Sequence, residues 1–296
     1  MKTKTWLLVL YVILYGCTNM SSIENQHRDV RYANDSAAQK MDIFIPDGAG
    51  PFPAVLLIHG GGFKSGDKKA KYSLAKILVA NEYVAICVNY RLSGEAIFPA
   101  AIHDIKAAIR FTRGNAANYS VNPDRIGCWG SSAGGNLSAM IGTSAGNKYI
   151  DGSVGFFKNE STKIQACVDW FGPIDFTTMK RDAKQLGFKE SFNVVLESKY
   201  IGADISAPEN FHLVQSANPE TYIDDSDPPF YVQVGNKDPL IPYIQSQSFA
   251  HKLYQVLGKE DVRFEVIEGG KHGGAKFSNK ENIGKVITFL DKYLKQ

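Results

Sequence analysis

From Phe52 onward the chain alternates short, mainly apolar runs with longer amphipathic ones. FPAVLLIHG (52–60), YVAICVNY (83–90), RIGCWG (125–130), KIQACVDWFG (163–172), PPFYVQVG (228–235) and VRFEVIEGG (262–270) read as strands. Several of them are apolar throughout, as suits strands covered on both faces of a parallel sheet. Between them KAKYSLAKILVANE (69–82), PAAIHDIKAAIRFTR (99–113), SAGGNLSAMIG (132–142) and YIQSQSFAHKLYQVLG (243–258) read as helices, and NKENIGKVITFLDKYLKQ (279–296) closes the chain as another. Upstream, DVRYA (29–33) and QKMDIFIP (39–46) read as two further strands, the second alternating at period two and ended by Pro46. The pattern breaks between about 173 and 228 into polar, irregular segments, of which KESFNVVLESKYIG (189–202) is the clearest helix. With no internal repeat and no long linker, this predicts one α/β domain over 18–296. Its sheet is mostly parallel, of about eight strands with helices on both faces, and about 173–228 is a cap-like insertion.

The first seventeen residues stand apart. Lys2 and Lys4 precede an apolar run from Trp6 to Tyr15, too short to span a bilayer but suited to the core of a signal peptide. The run ends in LYGC, which resembles a lipobox, so residues 1–17 are expected to be a lipoprotein-type signal with Cys17 as the lipidated residue; ordinary cleavage nearby is the alternative. The expected location is the bacterial periplasm or outer membrane, with the membrane reached only through that anchor. The composition changes the picture little: 44% hydrophobic and 21% charged residues exclude a disordered or fibrous chain. The formal charge of +3 falls to +1 once Lys2 and Lys4 are removed, so no nucleic-acid partner is expected. Cys87, Cys128 and Cys167 each lie in an apolar strand without paired spacing and read as buried thiols.

Chemistry concentrates where RIGCWG meets SAGGNLSAMIG. Gly130 and Gly134 flank Ser132 in a G-x-S-x-G pattern, as a strand turning sharply into a helix requires, because a Cβ at either glycine would meet backbone. Ser131 fails the same test, having Trp129 and Ala133 at those positions. A helix opening at Ser132 would offer amides and a favourable dipole to an oxyanion. The second element is IHGGGFKSGDK: successive glycines after a strand can aim amides outward, so Gly61, Gly62 and Ala133 are the expected oxyanion donors. Gly61 and Gly66 also have phosphate-loop spacing, but Asp67 stands where that loop needs lysine.

An elbow of this kind predicts the chain order serine, acid, histidine. Three histidines follow Ser132. His251 falls inside a helix and His212 inside the insertion, which leaves His272, alone in the loop GGKHGG after a strand. The acid should follow the preceding strand, where Asp238 comes just after FYVQVGNK; Asp224, Asp225 and Asp227 come before that strand. His59 is expected to brace the glycine loop, and Asn89, Tyr90 and Arg91 to make structural hydrogen bonds. No metal or other cofactor is implied.

Taken together, these residues resemble the α/β-hydrolase family, in the branch that shares HGGG with hormone-sensitive-lipase-like esterases. Within it the chain is similar to bacterial feruloyl-esterase-like and acetyl-xylan-esterase-like carbohydrate esterases. IHGGGFKSGDK, VNYRLSGEAIFPAAIHDIKAAIRF, NPDRIGCWGSSAGG, DWFGPIDF, NPETYIDDSDPPF, GNKDPLIP and GGKHGG carry the likeness. One departure is local: the family often has His-Gly-Asp-Lys-Asp at the acid, and here Gly235-Asn236-Lys237-Asp238 follows Val234. The resemblance implies a catalytic Ser132, Asp238 and His272, and a substrate pocket lined by Phe63, Ser131, Trp170, Phe171, Ile174 and Leu240. It implies a serine carboxylic-ester hydrolase whose partner is a small-molecule or polysaccharide ester, with acetyl or feruloyl groups on xylan-like polymers the expected targets. The rivals are a general short-chain carboxylesterase or lipase, a peptidase on the same fold, and a catalytically silent lipid-anchored binding protein.

Overall fold

The computed structural model describes residues 25–189 and 194–295; the expected signal segment, residues 1–17 with Cys17, lies outside them. In chain order the elements are β1 (Gln26–Arg31), β2 (Lys40–Phe44), β3 (Phe52–Ile58), α1 (Tyr72–Ala80), β4 (Val84–Val88) and α2 (Ala100–Gly114). β5 (Val121–Ser131), α3 (Ala133–Thr143), α4 (Lys148–Asp151) and β6 (Ala166–Trp170) complete the first half of the fold. The insertion carries α5 (Met179–Gln185), α6 (Val195–Ile201) and α7 (Phe211–Ser216). β7 (Phe230–Gly235), α8 (Tyr243–Leu257), β8 (Val262–Ile267), α9 (Ala275–Ser278) and α10 (Lys280–Leu294) follow.

The eight strands form one sheet in the order β1-β2-β4-β3-β5-β6-β7-β8. β1 and β2 pair antiparallel and β2 joins β4 antiparallel; from β4 to β8 every pairing is parallel. Strand pleating decides which core each side chain enters. Ala54, Leu56 and Ile58 of β3 pack with Ile102 and Ile105 of α2, Leu137 and Met140 of α3 and Phe249 of α8. Val55 and Leu57 point the other way, to Ala75 and Leu78 of α1 and Val286 and Leu290 of α10. Two cores of this kind account for the unbroken apolar runs.

Of the boundaries that differ from the sequence reading, three have a visible cause or bear on the site. β1 ends at Arg31, before Tyr32 and Ala33, because the Tyr32 hydroxyl turns into the core and donates to the Asn89 carbonyl (2.7 Å). The helix expected from residue 69 opens as a 3-10 turn, Lys68–Lys71, capped by Asp67, whose carboxylate accepts from the Lys69 amide (2.8 Å). The residue that rules out a phosphate loop thus serves as a helix cap. In the insertion, the described part of the expected helix over 189–202 runs from Val195.

β3 to β4 progresses toward one edge of the sheet, and β5 then returns on the other side of β3. The carboxyl ends of β3 and β5 therefore lie side by side at a reversal of strand order, where open α/β sheets place their ligand crevice.

Candidate active site

Ser132 sits at the end of β5 and caps α3 with φ 57° and ψ −126°, a conformation that side chains rarely adopt. Steric exclusion holds it there. A Cβ on Gly130 would lie 1.8 Å from the Gly134 carbonyl oxygen, and one on Gly134 would lie 2.3 Å from that of Ile58. The Ser132 amide donates to the Trp170 carbonyl (2.9 Å), which ties the elbow to β6.

Asp238 and His272 arrive from the loops after β7 and β8. These loops are packed directly on one another: a Cβ on Gly235 would lie 2.2 Å from the Gly270 carbonyl oxygen, and the Lys237 amide donates to that oxygen (2.8 Å). The Asp238 carboxylate is buried and uses both oxygens. Oδ1 accepts from the amides of Leu240 (2.8 Å) and Ile241 (3.0 Å), and Oδ2 faces His272 Nδ1 at 2.7 Å. His272 Nε2 lies 2.8 Å from Ser132 Oγ. With Asp238 accepting from Nδ1–H, the lone pair of the imidazole is on Nε2, turned to the serine hydroxyl. The edge of Phe171 packs on the imidazole, ring centroids 4.8 Å apart, and narrows its freedom to rotate.

The glycine loop lies beside this line. Gly61, Gly62 and Phe63 all have positive φ (118°, 58° and 58°), and the Gly61 carbonyl is turned back to accept from the amides of Lys64 and Ser65 (both 3.1 Å). His59 braces the loop from below. Its Nδ1 lies 2.8 Å from the Gly60 carbonyl, its ring stacks on Tyr90 at 4.4 Å, and its own carbonyl accepts from the Tyr90 hydroxyl (2.9 Å). Burial holds its pKa below the usual histidine range, which keeps it neutral. Arg91 is structural too, forking onto the buried Asp104 of α2.

A cavity of about 600 Å³ opens over Ser132 and His272. Of the residues expected around it, Gly62, Phe63, Ala133 and Leu240 line it, whereas Gly61 stands one residue back. Ser131, Trp170, Phe171 and Ile174 do not. The Ser131 hydroxyl is held away by Lys71, whose Nζ donates to its Oγ at 2.7 Å. Trp170 is buried beneath the site with Nε1 donating to Gln233, and its ring meets Trp129, Phe171 and Phe277. Phe171 reaches only the far side of His272, and Ile174 is wholly enclosed in the core. The sheet is covered on both faces, so these aromatic and aliphatic residues met protein before they could meet the crevice.

The insertion supplies what the sequence reading missed. Tyr200 of α6 stacks on Phe63 at 3.9 Å, and its carbonyl accepts from the Phe98 amide (2.7 Å), so α6 is fastened to the glycine loop. One turn earlier, Leu196 packs over Gly62, where a Cβ would come within 2.6 Å of Leu196 Cδ1. Its neighbour Glu197 lines the cavity, as do Phe188 and Lys189. Burial raises the pKa of the Glu197 carboxyl. Two other buried groups lie close to the elbow. Asp169 of β6 accepts from the Gly172 amide (2.9 Å), and burial lifts its carboxyl to about 7; Lys71 is pushed down to about 8 by the same cause. Nothing in KKAK or LESKY marks one lysine or one glutamate as buried, because helical spacing does not tell where an insertion crosses the sheet.

A mostly parallel sheet with a strained serine at the end of its central strand, an acid and a histidine in the loops after β7 and β8, and helices on both faces together define the α/β-hydrolase fold. The chain belongs to the BD-FAE family, whose model matches residues 41–253, a span that holds Ser132 and Asp238 and stops short of His272. Among curated proteins it is 29% identical to Esterase LipQ of Mycobacterium tuberculosis over 87% of this chain, and 28% identical to the Probable carboxylic ester hydrolase LipM of that organism over 82%. The chain spans 61% and 55% of those two relatives' lengths. Among solved structures it is similar to a bifunctional GH43-CE protein of Bacteroides eggerthii, with TM-score 0.80 and 34% identity over 90% of this chain and 35% of that one. A truncated carbohydrate esterase from gut microbiota superposes with the same TM-score at 29% identity, covering 93% of this chain and 98% of that one.

Proposed function

We propose that this protein is a serine carboxylic-ester hydrolase that releases acetyl or feruloyl groups from plant cell-wall polysaccharide such as xylan. The observation that carries the reading is the continuous line from Asp238 Oδ2 through His272 to Ser132 Oγ, with contacts of 2.7 and 2.8 Å, at the floor of a cavity bordered by Gly62 and Ala133. Ser132 Oγ attacks the ester carbonyl as its proton passes to His272 Nε2, and Asp238 holds the imidazole in the required tautomer. The carbonyl oxygen becomes an oxyanion that accepts from the amides of Gly62 and Ala133, at the N-terminus of α3. Collapse breaks the bond to the alcohol, which leaves with the proton from His272. Water, activated by the same histidine, then frees the acid and restores Ser132. The carbohydrate substrate is supported by the likeness to the truncated carbohydrate esterase from gut microbiota and to the bifunctional GH43-CE protein of Bacteroides eggerthii.

A second reading, a general short-chain carboxylesterase, is favoured by the largely apolar lining of the cavity. Release of acetate and of ferulate from acetylated, feruloylated arabinoxylan separates the two, with Ser132→Ala as the blank. The expected result is release of at least one acid by the wild type and none by the variant. Cleavage of a simple acetate ester with no release from the polymer would leave the hydrolase and remove the carbohydrate substrate.

We also propose export to the periplasm or outer membrane with a lipid on Cys17, which the order of lysines, apolar run and cysteine supports.

A further inference from the structure

Apart from Ser132 and His272, the cavity is bordered largely by apolar side chains: Phe63, Leu196, Leu240 and Ile241 are among them. Among the described residues two charged ones, Lys189 and Glu197, break this lining. Lys189 is exposed at the rim, whereas Glu197 is half-buried. Among the described residues no lysine, arginine or histidine forms an ion pair with Glu197, and its carboxylate accepts from its own backbone amide. Glu197 is half-buried on the cavity wall, so a donor that enters the cavity can replace the water on its carboxylate and bond to it directly. The groups that can do so are hydroxyls or a cation, and Lys189 at the mouth disfavours a cation.

We propose that Glu197 determines specificity by accepting hydrogen bonds from hydroxyl groups on the alcohol part of the ester, so that esters of sugar rings are preferred to esters of apolar alcohols. The proposal rests on the hydrolase reading above. The position of Glu197 fits it: α6 is clamped to the glycine loop through Tyr200 and Phe63, and Leu196, the preceding residue, covers Gly62. A ring held against α6 would therefore present its ester beside the Gly62 amide and Ser132. A cavity of about 600 Å³ far exceeds what an acetyl group fills, which leaves space for the sugar. An apolar alcohol of the same size would strand the carboxylate without a partner, and a site built to bond a hydroxyl rejects such an analogue strongly.

The test compares two acetate esters of similar ring size, methyl 2-O-acetyl-β-xyloside and cyclohexyl acetate, on wild type, Glu197→Leu and Glu197→Gln. The expected result is a loss of roughly 10- to 100-fold in kcat/KM for the xyloside in Glu197→Leu, the range of a charge-assisted hydrogen bond. For cyclohexyl acetate the same variant is expected to be unchanged or improved, and Glu197→Gln, which keeps one acceptor oxygen, to fall between for the xyloside. In the wild type the ratio of the two rates should also drop as acid protonates Glu197, at a pH above the ordinary glutamate range. His272, Asp238 and the rim residue Lys189 serve both esters alike, and their effects cancel in that ratio. An equal loss on both esters, or none on the xyloside, would overturn the role of Glu197 while leaving the hydrolase intact. A wild type that cleaves cyclohexyl acetate but not the xyloside would overturn both the role and the carbohydrate substrate. Loss of all cleavage of either ester by the wild type would remove the hydrolase reading itself.

Discussion

Gly130 shows how little freedom the elbow has. Its missing Cβ would overlap the Gly134 carbonyl at 1.8 Å and the carbon of the same group at 2.3 Å, so any side chain must push the end of β5 away from the start of α3. Gly130→Ala is expected to lower kcat on a simple acetate ester by about 100-fold or more, since a displacement near 1 Å at a nucleophile costs that much. Gly94→Ala, where a Cβ meets nothing within 4 Å, should leave it unchanged. Lys71 sets a different kind of constraint: its amine is enclosed, donates to Ser131 and has no carboxylate beside it, and burial lowers its pKa to about 8. A depressed lysine contributes stability that is present above the unfolded value of 10.5 and is lost as pH falls through about 8. The wild type should therefore gain on Lys71→Met, by up to about 3 kcal/mol, between pH 8 and pH 10.5. Urea midpoints of the two proteins measured across that interval check it, and the buried Lys106, present in both, cancels. A constant difference would show that the Lys71 amine titrates alike in the folded and unfolded protein, so that burial leaves it unshifted.

Helices are joined to the sheet by polar ties as well as by the two cores. Asp104 of α2 is fully enclosed and accepts from the Gln39 side chain before β2 and from the backbone and guanidinium of Arg91 after β4. Removing it strands a mostly buried guanidinium, so Asp104→Ala is expected to cost about 3–5 kcal/mol in urea unfolding. The same tie explains what the sequence could reveal. Asn89-Tyr90-Arg91 reads as structural because it follows a strand and precedes a helix, and the wholly apolar runs read as strands because both faces of the sheet are covered. The serine, acid and histidine were legible for a related reason: each is fixed by its place just after a strand, and glycine spacing marks the sharp turn at Ser132. The lining of the cavity was not. Trp170, Phe171 and Ile174 lie in ACVDWFGPID, a mainly apolar run with no regular alternation to say which rings face the crevice. Glu197 and Leu196 reach the site only because Tyr200 finds Phe63 across more than a hundred residues, a contact that no local pattern encodes.

The distribution of thiols over the whole chain bears on where it works. Cys87, Cys128 and Cys167 are free and enclosed within the cores, and Cys128 and Cys167 are register partners on β5 and β6 with sulfurs 3.7 Å apart. Burial raises the pKa of Cys87 and Cys167, with the neighbouring Cys128 adding to the rise at Cys167, so the reactive thiolate is scarce at neutral pH. The folded protein is therefore expected to react with none of its thiols when treated with Ellman's reagent, even after export to an oxidising compartment. In denaturant the count becomes informative about the other end of the chain. A mature protein lipidated at Cys17, whose sulfur would be held in a thioether, should titrate three thiols, and its N-terminal peptide should begin at Cys17 and carry the added acyl mass. Three thiols with an unacylated N-terminus beyond Cys17 would mean ordinary signal cleavage. A fourth thiol would mean that Cys17 is retained and free, and that the lipid anchor is wrong.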